Sequence, residues 1–186
     1  MRIPAPAEAL RAARALNNLS QRAVAEQAGV SQKALSFIEN TSNLLIETNL
    51  ILVDFYVSRG IRFLGEASIG FEITGVGAKW AAPDGPVPGE ALRPLRASDV
   101  PVPFKAARAL LGKKQEEVAA AAGLTVPAVK GLEAGKTWVD SSRALVRYYE
   151  SEGVEFTGWG DPSSGKFYGV GVRLHRRNDR DGASRS

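Results

Sequence analysis

The sequence predicts a mainly α-helical fold with small β-hairpins, built twice in one chain. Three observations predict it. The 186 residues match themselves when slid by 94 positions. Apolar residues recur at helical spacing between Ser and Gly punctuation, and each repeat ends in two short strand-like runs. The repeat comes first, because a missed duplication misassigns the whole fold.

Residues 10–40 and 104–134 share twelve identities in 31 positions. Six of these are Ala, which is weak support in an Ala-rich chain. The other six are Arg14/Arg108, Leu16/Leu110, Gln21/Gln115, Val24/Val118, Gly29/Gly123 and Glu39/Glu133. Leu10/Phe104, Val30/Leu124, Ser31/Thr125, Leu35/Val129 and Ile38/Leu132 are conservative pairs. The match resumes one residue out of step: Tyr56, Gly60, Ile61 and Phe63 correspond to Tyr149, Gly153, Val154 and Phe156. Gly75-Val76-Gly77 parallels Gly169-Val170-Gly171. The reading is a first domain at 1–82, a linker at 83–101, a second domain at 102–175 and a disordered basic tail at 176–186. The stretch from Pro83 to Pro103 holds six of the ten prolines, so it reads as semi-extended and poor in helix or strand.

In the first copy an Ala-rich helix covers Glu8–Asn17. Ser20 caps a second helix, Gln21–Ala28, by accepting an orphan backbone N–H. Gly29 ends it, where left-handed backbone costs Gly least. Ser31 caps a third helix reaching about Glu39, and a fourth spans Leu45–Ser58. The second copy predicts helices at Phe104–Leu111, Gln115–Ala122, Val126–Ala134 and Ser141–Glu152. Pro127 falls in a tolerated first turn, and Asp140 is the cap of the last helix. Leu10, Leu16, Val24, Ala28, Val30, Leu35 and Ile38 enclose a small core. Ala25 and Ala119 are small enough for two helices to cross closely. Ile61–Leu64 with Phe71–Lys79, and Val154–Thr157 with Phe167–Leu174, read as hairpins. A lone hairpin is marginal in water, so these should pack on their own helices or pair with one another, within the chain or between chains.

Composition narrows the chemistry. With 24 Lys+Arg, 20 Asp+Glu and 44% hydrophobic residues, the balance is that of a soluble globular protein. The absence of Cys removes disulfides, thiolate metal sites and cysteine nucleophiles, and the single His175 removes two-histidine metal sites. No metal site, no cofactor and no enzyme activity is expected. No apolar run approaches the roughly 20 residues of a membrane span. The Met-Arg-Ile-Pro start lacks the apolar core of a signal peptide, so a cytoplasmic, nucleoid-associated protein is expected, with no membrane partner.

The residues Leu19-Ser20-Gln21, Val24-Ala25, Ala28-Gly29-Val30-Ser31 and Ile38-Glu39-Asn40 resemble the lambda-repressor-like, Cro-type (XRE) helix-turn-helix of prokaryotes and phages. Gln115, Val118-Ala119, Ala122-Gly123-Leu124-Thr125 and Leu132-Glu133-Ala134-Gly135-Lys136 resemble it equally. The likeness is strong over about 30 residues per copy and weak over the fourth helices. It implies that the third helix of each copy enters the major groove of double-stranded DNA. In the first copy Ser31, Gln32 and Lys33 would lead, with Ser36 and Phe37 one turn later. Gln can bond adenine and Lys guanine, and Phe37 could press on a thymine methyl or pack in an interface. Gln21 would meet a phosphate at a helix N-terminus, and Asn40 another. The second copy places Thr125, Val126, Pro127, Lys130 and Gly131 there, with Gln115, Lys130 and Lys136 for phosphate and few base-edge donors. Arg14 with Glu39, and Arg108 with Glu133, occupy the positions of an internal ion pair common in this family.

The resemblance implies a sequence-specific transcriptional regulator with two tandem domains acting as a pseudo-dimer on an asymmetric operator. Repression is the family's common outcome, and activation through polymerase is equally allowed. The hairpins offer a homodimer, and polymerase or another regulator is the expected protein partner. The rival reading is a protein-binding adaptor, antiactivator or antitoxin-like, that keeps the fold with little DNA reading. Its motive is the weak second face and a net charge of only +4, spread as +1, −1, +2 and +2 over the four segments. Other features read blandly. Trp80, Trp138 and Trp159 are packing residues. The Gly-Val-Gly pairs lack the third Gly of a dinucleotide loop and read as strand features. Arg176, Arg177, Arg180 and Arg185 make a basic or merely solvated tail. Asn18-Leu-Ser20 and Asn40-Thr-Ser42 mean little without secretion, and His175 is incidental.

Overall fold

Hydroxyl caps open the short helices. Ser20 and Ser31 accept the backbone N–H of Ala23 and Ala34, each at 3.1 Å, and Thr125 accepts that of Ala128 at 3.3 Å. Gly29 closes its helix in left-handed backbone at φ 69°. The structure, a computed structural model, describes residues 3–41, 45–66, 73–85, 87–98 and 102–175. The first copy holds α1 (Ala7–Leu16), α2 (Gln21–Ala28), α3 (Gln32–Asn40), α4 (Ile46–Ser58), β1 (Ile61–Glu66) and β2 (Thr74–Trp80). A short α5 (Gly89–Leu92) follows. The second copy holds α6 (Phe104–Leu111), α7 (Gln115–Ala121), α8 (Val126–Glu133), α9 (Val139–Ser151), β3 (Val154–Asp161) and β4 (Lys166–Leu174).

Three expectations change. The helix read as Ser141–Glu152 begins at Val139, so Asp140 sits inside its first turn and Trp138 takes the N-cap position without a side-chain cap bond. The strands run longer than read, Ile61–Glu66 and Val154–Asp161, because pairing across the sheet extends them past their apolar runs. The linker is neither plain nor extended. It contains α5, buries Leu92, stacks Arg96 on Trp80 at 3.4 Å and bridges Ser98 to Phe167. Pro88 and Pro94 lie on either side of that one helical turn, and Leu92 within it gains by leaving water. Phe71 of the predicted first hairpin, Ser42 and the tail from Arg176 lie outside the described residues.

The hairpins pair with each other within the chain. The result is one antiparallel sheet in the order β1-β2-β4-β3. At its centre Gly77 faces Arg173, Ala78 faces Val172 and Lys79 faces Gly171. A Cβ on Gly77 would overlap the backbone of Val172 and Arg173, and one on Gly171 that of Ala78 and Lys79. The repeated Gly-Val-Gly is therefore the seam where the two copies meet, and glycine there permits close backbone approach.

Helices α1 and α6 pack beside this seam. Leu10, Val24, Leu35, Ile38, Leu52 and Tyr56 of one copy share a continuous core with Phe104, Leu110, Val118, Val129, Leu132, Leu145 and Tyr149 of the other. Leu16, Ala28 and Val30 only border it. Two cations from one repeat position cross between the copies. The Arg11 guanidinium donates to the carbonyls of Ala109 (2.8 Å) and Leu110 (3.2 Å) at the C-terminus of α6, and also to that of Glu39. Lys105 reciprocates by donating to the side-chain oxygen of Asn18, just past α1. A positive charge at a helix C-terminus opposes the dipole's negative end. No helix among the described residues is long and apolar enough to cross a membrane.

Candidate nucleic-acid interface

The leading turn of the third helix stands free in each copy, while the following turns anchor it. In α3, Ser31, Gln32 and Lys33 are exposed, whereas Leu35, Ile38 and Glu39 are buried. In α8, Thr125, Pro127 and Lys130 are exposed, Val126 is half-buried, and Val129, Gly131 and Leu132 are buried. The caps come from Ser31 and Thr125, so these hydroxyls are engaged by their own helices. Ser36 is half-buried, and its carbonyl accepts from the Asn40 amide at 2.7 Å. Asn40 thus folds back on its own last turn while remaining exposed. Phe37 is 41% exposed beside it.

What anchors each helix is a three-member cluster. Arg14 Nε and Nη2 donate to Glu39 at 2.7 and 2.8 Å, and Arg108 donates to Glu133 at 2.6 and 3.0 Å. Gln21 and Gln115 complete the clusters, each amide nitrogen donating at 2.7 Å to the same glutamate. Burial opposes the charge on Arg14, but the Glu39 bond and charge outweigh it and hold its pKa above the ordinary value. For Arg108 the Glu133 bond prevails over burial in the same direction. The glutamines placed at phosphate positions therefore spend one N–H on holding the third helix. Each amide keeps a second N–H, and the first-turn backbone donors remain beside it.

The two faces differ where the repeats differ. Gly131 occupies the repeat position of Phe37, and the Trp138 ring lies over it so closely that a Cβ would collide. Lys136 sits 5.1 Å from that ring in a cation–π contact. Trp138 remains 43% exposed, so each face presents one aromatic, from the helix in the first copy and from the following loop in the second. Composition alone placed Trp138 only as packing. The signal was present in the glycine that left room for it.

Cations line two clefts where the copies adjoin. One, of about 490 Å³, is bounded by Asn18, Lys105, Arg108, Gln115, Lys130 and Glu133, the last being the partner of Arg108. The other, of about 330 Å³, is bounded by Arg11, Arg14, Asn40, Lys105, Arg108 and Lys113. Sequence reading missed Arg11 and Lys105, because only the packing of α1 on α6 brings them to the junction. Among the described residues no group of three or more acidic or histidine side chains is placed to hold a metal ion.

A family model described as helix-turn-helix matches residues 10–48 and residues 104–145. No curated protein and no solved structure matches the chain significantly.

Proposed function

We propose, from the helix-turn-helix matches at residues 10–48 and 104–145, that this chain is a sequence-specific DNA-binding transcriptional regulator, a repressor, whose two domains act as a pseudo-dimer on one composite DNA site. The observation that carries the reading is the pair of exposed leading turns, at Ser31–Lys33 and Thr125–Pro127, on helices otherwise anchored in a common core. Gln32 and Lys33 supply base-edge contacts, because their amide and ammonium match adenine and guanine in the major groove. Ser31, Ser36 and Phe37 shape that face, and Phe37 meets a thymine methyl. Gln21, Asn40, Gln115, Lys130 and Lys136 meet phosphates, with Thr125 and Val126 at the weaker second face. Lys105 and Lys130 at the clefts between the copies favour the same anionic partner, since Arg14 and Arg108 there are already paired with Glu39 and Glu133.

Binding to genomic fragments, followed by footprinting at stated salt, tests this. A preferred site should emerge, and Gln32→Ala with Lys33→Ala should abolish the preference while leaving the fold intact. An unchanged footprint in that double variant contradicts the reading-face assignment.

One observation favours a second reading for the second copy alone. The second copy exposes Pro127, Trp138 (43%) and Val139 (64%), with Val126 half-buried, where the first copy leads with Gln32 and Lys33. Such a surface suits a protein partner, polymerase or another regulator, better than a duplex. Trp138→Ala that leaves DNA affinity unchanged but abolishes capture of polymerase supports this division of labour.

A further inference from the structure

Two repeat positions that meet at the junction of the copies are filled differently. Arg11 stands where the second copy has Lys105, and Asn18 stands where it has Gly112. Each cation faces the end of the other copy's first helix. Arg11 lies against Gly112, the left-handed C-cap of α6 at φ 67°, where an added Cβ would sit 3.5 Å from the guanidinium. Glycine leaves the guanidinium room to reach backbone, and it takes the carbonyls of Ala109 at 2.8 Å and Leu110 at 3.2 Å. Lys105 instead meets Asn18, which holds the corresponding left-handed position at φ 53° and offers a side-chain oxygen. A long fork opposite glycine and a point charge opposite asparagine are two solutions to one junction.

Arg11 also bonds the reading helix of its own copy, through the carbonyl of Glu39 in the last turn of α3. Carbonyls in a helix's last turn have no partner within the helix, so one guanidinium answers three such acceptors on two helices from two copies. The residue before Ala109 continues the connection. Arg108 of α6 donates to Glu133 of α8 at 2.6 and 3.0 Å. Directional bonds at Arg11 and Arg108, with the end of α6 between them, therefore join the third helix of one copy to that of the other. The rest of the junction is smooth. Four of the five buried residues of α1 are Ala, as are two of the four in α6, and the β2–β4 seam is three residue pairs containing two glycines. Burying such surfaces holds the copies together without a preferred direction, whereas hydrogen bonds have one. We propose that Arg11 is a positioning residue that fixes the separation and angle of the two reading helices, and so selects the spacing of the two half-sites in DNA. The proposal rests on the reading of the chain as a pseudo-dimer on a composite site.

Arg11→Lys in the full chain tests this, because lysine keeps the charge but presents no planar fork to three carbonyls. The first readout needs no DNA. The chain has no Cys, so spin labels at Glu26→Cys and Ala120→Cys, exposed repeat-equivalent positions on α2 and α7, report the distance between the copies by pulsed electron resonance. One narrow distance should broaden or shift in Arg11→Lys. The second readout uses duplexes with one or two base pairs added or removed between the footprinted halves, each step about 3.4 Å and about a tenth of a turn. Off its preferred spacing the wild type should lose roughly tenfold or more in affinity, and Arg11→Lys about threefold or less. Weaker folding alone, checked by circular dichroism, would lower affinity at every spacing alike. Arg11→Lys with Gly112→Asn copies the Lys105–Asn18 junction and should restore both the narrow distance and the spacing preference. A wild type with no preferred duplex overturns the DNA reading and the spacing claim together. A label distance or a spacing profile that Arg11→Lys leaves unchanged, or a double variant that restores neither, overturns the role of Arg11 and leaves the DNA reading standing.

Discussion

Replacing Arg14 with Met removes two donors from a glutamate that has nowhere else to turn. The Glu39 side chain is 1% exposed, and its bonds are those from Arg14 at 2.7 and 2.8 Å and from Gln21 at 2.7 Å. With Arg14 gone, a carboxylate remains in a low-dielectric site with one neutral amide for company. Breaking a buried pair from one side costs about 3–5 kcal/mol, mostly as the desolvation of the charge left behind. For a protein of this size that loss lowers Tm by roughly 10 °C. The reverse change should be milder. In Glu39→Gln the stranded group is Arg14, whose side chain is 21% exposed and can reach water. Arg14→Met combined with Glu39→Leu should recover most of the loss, because an apolar pair of similar volume carries no buried charge. Urea unfolding followed by circular dichroism, with the slope checked for two-state behaviour, reads all three. The reasoning is refuted if Arg14→Met costs less than about 1 kcal/mol, the level of an exposed pair. It is equally refuted if the double variant is no better than the single.

Four other outcomes follow from the same geometry. Lys130→Ala should weaken DNA binding evenly across sequences and flatten the salt dependence by about one ion, read from affinity against salt; a changed preference would give Lys130 a base contact instead. Gly77→Ala or Gly171→Ala should cost at least roughly 1–3 kcal/mol in urea unfolding and expose the linker to proteolysis, since the added methyl meets backbone on the facing strand. Tyr56→Phe and Tyr149→Phe should be neutral or stabilising by up to about 1 kcal/mol, because neither buried hydroxyl has a hydrogen-bond partner among the described residues. A clear loss of stability in thermal melts would contradict that. At the β3–β4 turn, bonds from Ser164 and Ser163 hold the Asp161 carboxyl below its unfolded value of 3.8. The turn's ionised form should therefore contribute fully above that pH and be lost as pH falls through the lower folded value, with Ser163 amide exchange reporting the change. Protection that persists at the lowest pH reached would count against it.

Much of each helical domain was legible in order along the chain. Ser20, Gly29, Ser31 and Thr125 act on backbone within one turn of themselves, so their effect is written locally. The Arg14–Glu39 and Arg108–Glu133 pairs were legible too, through a resemblance that aligns both copies at once. Gln21 was read as a phosphate contact, and its bond to Glu39 became visible only when the second and third helices were packed together. Trp138 was beyond sequence reading for a similar reason. Its place over Gly131 depends on how the loop after α8 returns.

The sequence by itself determined that one module occurs twice, where its helices begin and end, and which residues lead its third helix. Periodicity and caps are short-range effects that a chain carries wherever it goes. Only the tertiary structure decided that the two hairpins become one sheet, that Arg11 and Lys105 cap each other's domains, and that Gly77 and Gly171 exist to let strands touch. Those outcomes depend on contacts between residues about a hundred positions apart. No local preference encodes such a contact; it is selected by which apolar faces can be buried together at once.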